Sequence, residues 1–179
     1  MQADNKDWDR ARSEHKARTP DLFAHRDGRI LVSRREALLT GAGEELFRKT
    51  VRAHVKESGR CHVALSGGST PKLLFRRFAE REMKDWDLWQ RIHVYWADER
   101  AVPPTHRDSN YRLAYDTFLS QVPVAMENIH RMRAETGDLE AEARRYQELL
   151  EPLRAGEWPR LDLILLGMGA DGHTASLFP

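Results

Sequence analysis

The sequence predicts an α/β fold: a doubly wound, mainly parallel sheet with helices on both faces. Three observations predict it. Short apolar runs recur as CHVAL at 61–65, IHVYW at 92–96 and LDLILLG at 161–167. Segments with helical periodicity separate them, the arrangement of strands in a covered parallel sheet. A polar loop follows each run: SGGSTP, ADERAVPP and MGADGHT. Crossovers in such sheets share one hand, so the strands' carboxyl ends line one edge. Ligands bind in the crevice outside that edge. The three loops are therefore expected to meet in space.

The elements follow in order. Residues 1–20 are polar and aperiodic and read as a flexible lead-in. Residues 21–179 read as one domain. In DLFAHRDGRILVS, two apolar runs flank Asp27-Gly28, a hairpin turn signal. A helical pattern starts near Ser33, with Glu36 three residues later in capping-box register. Gly41 and Gly43 weaken its middle, and Gly59 ends it. Pro71 opens KLLFRRFAE at a favoured first-turn position, with Ser69 or Thr70 as cap. SNYRLAYDTFLS and LEAEARRYQELLEPLR also read as helices.

Composition narrows the function classes. The chain has 179 residues, 40% apolar and 32% charged, with 29 basic and 28 acidic residues giving a net charge of +1. That length suits one domain with a real core. Mixed charge at near-zero balance argues against a nucleic-acid or membrane partner. No apolar stretch approaches the ~20 residues that span a bilayer, and the N-terminus lacks a signal peptide's apolar centre. Cys61 is the one cysteine, so no internal disulfide or zinc pair can form. A reducing, cytoplasmic compartment fits.

Chemistry is concentrated in the three loops. Gly67 and Gly68 let backbone approach a ligand closely. The helix after them offers free N–H groups and a positive dipole end, which suits a phosphate. Ser69 and Thr70 add hydroxyl donors, and Lys72 a nearby charge. The same residues also suit a plain turn with a helix cap. In the second loop, Arg100 can fork onto a phosphate or a polarised carbonyl. On residue type alone, Asp98, Glu99 and Arg100 are expected instead to form a surface ion-pair cluster. Ser109 or Asp108 can cap the helix beyond, and Asn110 and Tyr111 can support it. In the third loop, glycines frame Asp171 and His173. Histidine moves protons near neutral pH, and a carboxylate two residues away can orient it. The GxG of this loop lacks a dinucleotide site's third glycine.

Taken together, SGGSTPK, WADERAVP followed by DSNY, and LILLGMGADGHTASLFP resemble the signature segments of 6-phosphogluconolactonases, in the family's order and at similar spacing. The resemblance runs from about Arg60 to Pro179. It implies the doubly wound fold shared with glucosamine-6-phosphate deaminases, sugar-phosphate isomerases and CoA transferases. It implies hydrolysis of 6-phospho-D-glucono-1,5-lactone in the oxidative pentose phosphate pathway, with no metal and no cofactor. The implied partner is a small sugar-phosphate lactone, and a monomer is favoured. Family members usually continue for several dozen residues past the LFP segment, so the resemblance also implies a domain missing its C-terminal part. Deaminases keep a similar phosphate loop but continue after GDGH towards an FNEP-like segment; here Thr174–Pro179 follows as in lactonases. The alternatives are a deaminase or isomerase, and an inactive sugar-phosphate-binding fragment.

By this resemblance His173 is the general base and Asp171 its orienting partner. Gly67, Gly68, Ser69, Thr70, Lys72 and Arg100 bind substrate, while Asp98, Glu99, Asn110, Gly169 and Gly172 support the site. Ser66 and Ser69 lack a nucleophile-elbow pattern and are not read as nucleophiles.

Overall fold

The structure, a computed structural model, describes residues 21–25, 28–80 and 86–179. The lead-in expected at 1–20 lies outside them, as does Asp27 of the turn signal. The described residues fall into two compact units that divide after Leu46. In the first, β1 (Asp21–His25) pairs antiparallel with β2 (Gly28–Val32), with His25 opposite Gly28, as the turn signal implied. Helix α1 (Glu36–Ser58) begins in the first unit and runs on into the second. The Ser33 hydroxyl oxygen accepts the Arg35 N–H (3.1 Å) just before it. Gly59 ends it with a φ of +79° and donates its N–H to the Val55 carbonyl, a left-handed helix end that favours glycine.

In the second unit the order is β3 (Cys61–Leu65), α2 (Ser69–Glu80), the short α3 (Trp86–Trp89), β4 (Ile92–Trp96), α4 (Asn110–Thr117) and α5 (Leu139–Leu150). A small antiparallel pair, β5 (Arg154–Ala155) and β6 (Trp158–Pro159), and then β7 (Leu163–Ile164) complete it. The main sheet is β4-β3-β7, parallel throughout, with Cys61 opposite Ile92 and Leu65 opposite Trp96.

Alternation along β3 and β4 builds two cores, as period-two strands require. Cys61, Val63, Leu65, Ile92, Val94 and Trp96 point to one face. There they pack with Phe47 and Val51 of α1, Phe75 and Phe78 of α2, and Ala114 and Phe118. Ala64 and Tyr95 point to the other face, against Tyr146, Leu149 and Leu150 of α5. Helices therefore cover both faces, and the sheet is doubly wound. Buried Cys61 is inert: burial pushes its thiol up to about 12. Among the described residues no helix is long and apolar enough to cross a membrane.

Three elements differ from the sequence reading. Helix α2 starts at Ser69, so Ser69 and Thr70 lie in its first turn rather than capping it. The third strand is short, and β7 pairs with β3 over Leu163 and Ile164. The Asp162 and Leu165 N–H groups extend its ladder to the His62 and Ala64 carbonyls. Helix α5 stops at Leu150, because Pro152 cannot continue it. A 3-10 turn over Glu151–Leu153 follows.

Beside the second core, three histidines stack. His62 and His93 face each other across the β3–β4 ladder with ring centroids 5.0 Å apart. His93 and His130 stack at 5.4 Å, with His93 Nδ1 3.1 Å from His130 Nε2. The Tyr95 hydroxyl lies 3.2 Å from His62 Nδ1. Burial lowers all three imidazoles below 6.5, His130 to about 4, and the neighbouring histidines lower His62 and His130 further. Arg60 disfavours protonation of His62 and His93, Arg145 that of His130, while Asp162 favours it at His62. In the unfolded chain each titrates near 6.5. The unfolded state therefore binds more protons as pH falls from about 6.5 to about 4, and stability falls with it. Urea unfolding at pH 7.5 and pH 5 should give a lower midpoint at pH 5. In His130→Phe, which keeps a ring in the stack but cannot titrate, the drop should be smaller.

Candidate functional site

The parallel sheet brings the three loops together, as expected from their positions at strand ends. A cavity of about 200 Å³ lies between them. Ser66, Gly67, Gly68, Ser69, Thr70 and Pro71 form one wall, Asp98, Arg100 and Asn110 a second, and Gly167, Met168, Gly169, His173 and Ala175 a third.

The first wall is set by backbone. Gly68 has a φ of +108°, a left-handed conformation that suits glycine, and accepts the Lys72 N–H (3.2 Å) on its carbonyl. That turn feeds directly into α2, so the helix's first N–H groups border the cavity. Gly67 is required by space: a Cβ there would fall on the Asn110 carboxamide. Lys72, expected to bind substrate, instead is exposed on α2 and does not line the cavity.

In the second wall the expected ion-pair cluster does not form. Glu99 Oε1 accepts the N–H groups of Arg100 (2.8 Å) and Asn110 (2.7 Å). Its Oε2 accepts the Ser109 hydroxyl (3.1 Å) and the Tyr111 N–H (2.9 Å). The carboxylate thus caps α4 beside Ser109, whose oxygen accepts the Arg112 N–H (3.1 Å). Ser109, not Asp108, is the cap residue. Asn110 is buried and donates Nδ2 to the Asp98 carbonyl (3.0 Å) and to Asp98 Oδ1 (3.2 Å). Tyr111 packs its ring 5.5 Å from that of Trp96. Among the described residues no carboxylate pairs with the Arg100 guanidinium, which is exposed at the cavity and available to an anion.

In the third wall His173 Nδ1 lies 2.5 Å from Asp171 Oδ1, and the His173 N–H also donates to that oxygen (3.2 Å). Hydrogen bonds from His173 hold the Asp171 carboxyl below the usual carboxylate value. With Nδ1–H given to Asp171, Nε2 carries the free lone pair and can take a proton. The Phe178 ring lies 4.7 Å from the imidazole. Gly169 leaves room for the imidazole, since a Cβ there would overlap it. Gly172, at a φ of +89°, turns the chain between Asp171 and His173. Asp171 and Gly172 stand behind the histidine rather than on the cavity.

The sequence reading did not single out Met168 or Ala175 in the lining, nor the hydrogen bond from Ser176 Oγ to Asp98 Oδ2 (2.9 Å). Neither apolar side chain carries a chemical signal. The Ser176–Asp98 contact joins residues 78 positions apart.

A helix N-terminus, a histidine held by a carboxylate, and an arginine that no carboxylate among the described residues pairs with thus meet around one cavity. Residues 33–179 match the family model of glucosamine-6-phosphate isomerases/6-phosphogluconolactonase, and the chain belongs to that family. It is similar to a 6-phosphogluconolactonase of Nostoc, 44% identical over 128 residues, covering 70% of this chain and 52% of that one. It is also similar to a chloroplastic 6-phosphogluconolactonase 3 of Arabidopsis thaliana, 47% identical over 133 residues, covering 69% and 40%. The crystal structure of 6-phosphogluconolactonase from Thermotoga maritima aligns with a TM-score of 0.68 at 28% identity, over 78% of this chain and 60% of that one. The chain spans about half the length, or less, of the curated relatives named here.

Because four donors converge on Glu99, Glu99→Gln should be costly: an amide nitrogen would face two of them. Leaving those donors unmet costs about 1–3 kcal/mol. Urea unfolding should show a lower midpoint at unchanged slope.

Proposed function

We propose that this chain hydrolyses 6-phospho-D-glucono-1,5-lactone to 6-phospho-D-gluconate. The observation that carries the reading is the His173–Asp171 pair at the cavity facing the α2 N-terminus. The lactonase names of relatives above 40% identity support it.

The substrate phosphate lies against the backbone of Gly67 and Gly68 and the hydroxyls of Ser69 and Thr70, where N–H groups and the helix dipole favour an anion. Arg100 meets an anionic oxygen of the substrate from the second wall. His173 Nε2 takes a proton from water as the water oxygen bonds to the lactone carbonyl carbon. The carbonyl oxygen gains negative charge, which N–H groups of the glycine-rich loop stabilise. The intermediate collapses, the bond to the ring oxygen breaks, and the imidazolium returns its proton to that oxygen. Asp171 holds the tautomer and orients the imidazole.

The test is acid release from fresh lactone, measured against its spontaneous rate. The chain should accelerate release, and His173→Ala should lower turnover on the order of 10²–10⁴-fold. An alanine variant with near-normal turnover would end the proposal.

A further inference from the structure

The segment that carries His173 closes on itself. Gly169 N–H donates to the His173 carbonyl (2.8 Å), and Gly172 N–H to the Gly169 carbonyl (3.0 Å). The Thr174 hydroxyl donates to the Gly167 carbonyl (2.9 Å), and Thr174 and Leu177 pair back to back. Such bonds fix the loop's shape. They do not fix where the loop stands relative to the other two walls.

Placement needs a bond that leaves the loop, and Ser176 makes one. Its hydroxyl donates to Asp98 Oδ2 (2.9 Å) at the end of β4. Asp98 is a firm post. Its other oxygen and its carbonyl accept the Asn110 amide, and Asn110 is buried with its own N–H held by Glu99. Two residues before it, Trp96 is buried in the sheet core. Between His173 and Ser176 the chain reverses at Ala175, whose φ of +49° lies in the left-handed region that alanine disfavours. That conformation lasts only where the surroundings hold it. It also turns the imidazole and the Ser176 hydroxyl so that one faces the cavity and the other reaches its second wall.

We propose that Ser176 is a positioning residue for His173: its hydroxyl, anchored on Asp98, sets where the imidazole stands against the phosphate wall. The catalytic part of this inference rests on reading His173 as the general base. One exposed hydrogen bond is a small share of a fold's stability. Its loss should leave the chain folded and move the loop. Misplacing a reacting group by about 1 Å can cost 10²-fold in rate.

The experiment compares wild type, Ser176→Ala and Ser176→Thr, which keeps the hydroxyl. Nuclear magnetic resonance of the His173 ring protons reads placement without relying on activity. In Ser176→Ala the His173 signal should shift or broaden while the other histidines keep theirs, and Ser176→Thr should restore it. With lactone as substrate, Ser176→Ala should lose kcat on the order of 10- to 100-fold with KM little changed, and the threonine variant should recover. An alanine variant whose His173 signal and kcat match wild type overturns the proposal. So does a loss seen in KM alone, or one shared equally by the threonine variant. If wild type itself fails to accelerate hydrolysis, the functional reading falls, and the His173 signal alone still decides whether Ser176 places the loop.

Discussion

The site depends first on the parallel, in-register pairing of β3 with β4 and β7. Cys61 stands opposite Ile92 and Leu65 opposite Trp96, so the two strands end level. Loops that leave level strand ends must share one edge. Those two strands are held by burial on both faces, with Val63, Leu65, Val94 and Trp96 against one layer of helices and Ala64 and Tyr95 against the other. Three segments remote in sequence become walls of one cavity for that reason. No loop needs affinity for another; the sheet supplies their proximity.

The carboxylates of the second wall then do mechanical work. Glu99 is spent on three N–H groups and one hydroxyl. Asp98 receives Asn110 on one side and Ser176 on the other. Both acids are thereby withdrawn from pairing with Arg100. Arg100 directly follows these two acids in sequence. Backbone, amide and hydroxyl donors occupy them, and among the described residues no carboxylate pairs with the guanidinium.

Much of this was legible in the sequence. Parallel strands were readable because CHVAL and IHVYW are largely buried on both faces and so are apolar but for one histidine each. The loops' convergence followed from topology, and the His173–Asp171 contact from a spacing of two residues. What escaped was long-range or geometric. Lys72 looks like a phosphate ligand by proximity in sequence, but it is exposed on α2 and does not line the cavity. The Asp98–Glu99–Arg100 run reads as an ion-pair cluster until α4 arrives with Ser109, Asn110 and Tyr111 to claim the carboxylates. The cap at Ser69 or Thr70 failed because Gly68, in a left-handed conformation, can begin the helix a residue earlier than a side-chain cap would. The hydrogen bond from Ser176 to Asp98 gave no signal, since its partners lie 78 positions apart.

The cavity's walls are also built to different tolerances. The glycine-rich side is backbone leading into a twelve-residue helix whose Phe75 and Phe78 are fully buried, so it is held by the core. The histidine side is a loop with exposed Met168, Leu177 and Phe178, one left-handed alanine and a hydrogen bond to Asp98. Holding an anion tolerates small displacements, because charge–charge attraction varies only as the inverse of distance. Proton transfer does not, because it needs hydrogen-bond reach between defined atoms. The chemistry thus sits on the less buried element, and its accuracy has to come from specific local contacts. Gly169 leaves room for the ring, Asp171 fixes its tautomer, and Thr174 and Ser176 hold the frame around it. A fold that gives proximity through its sheet leaves the last ångström to these side chains.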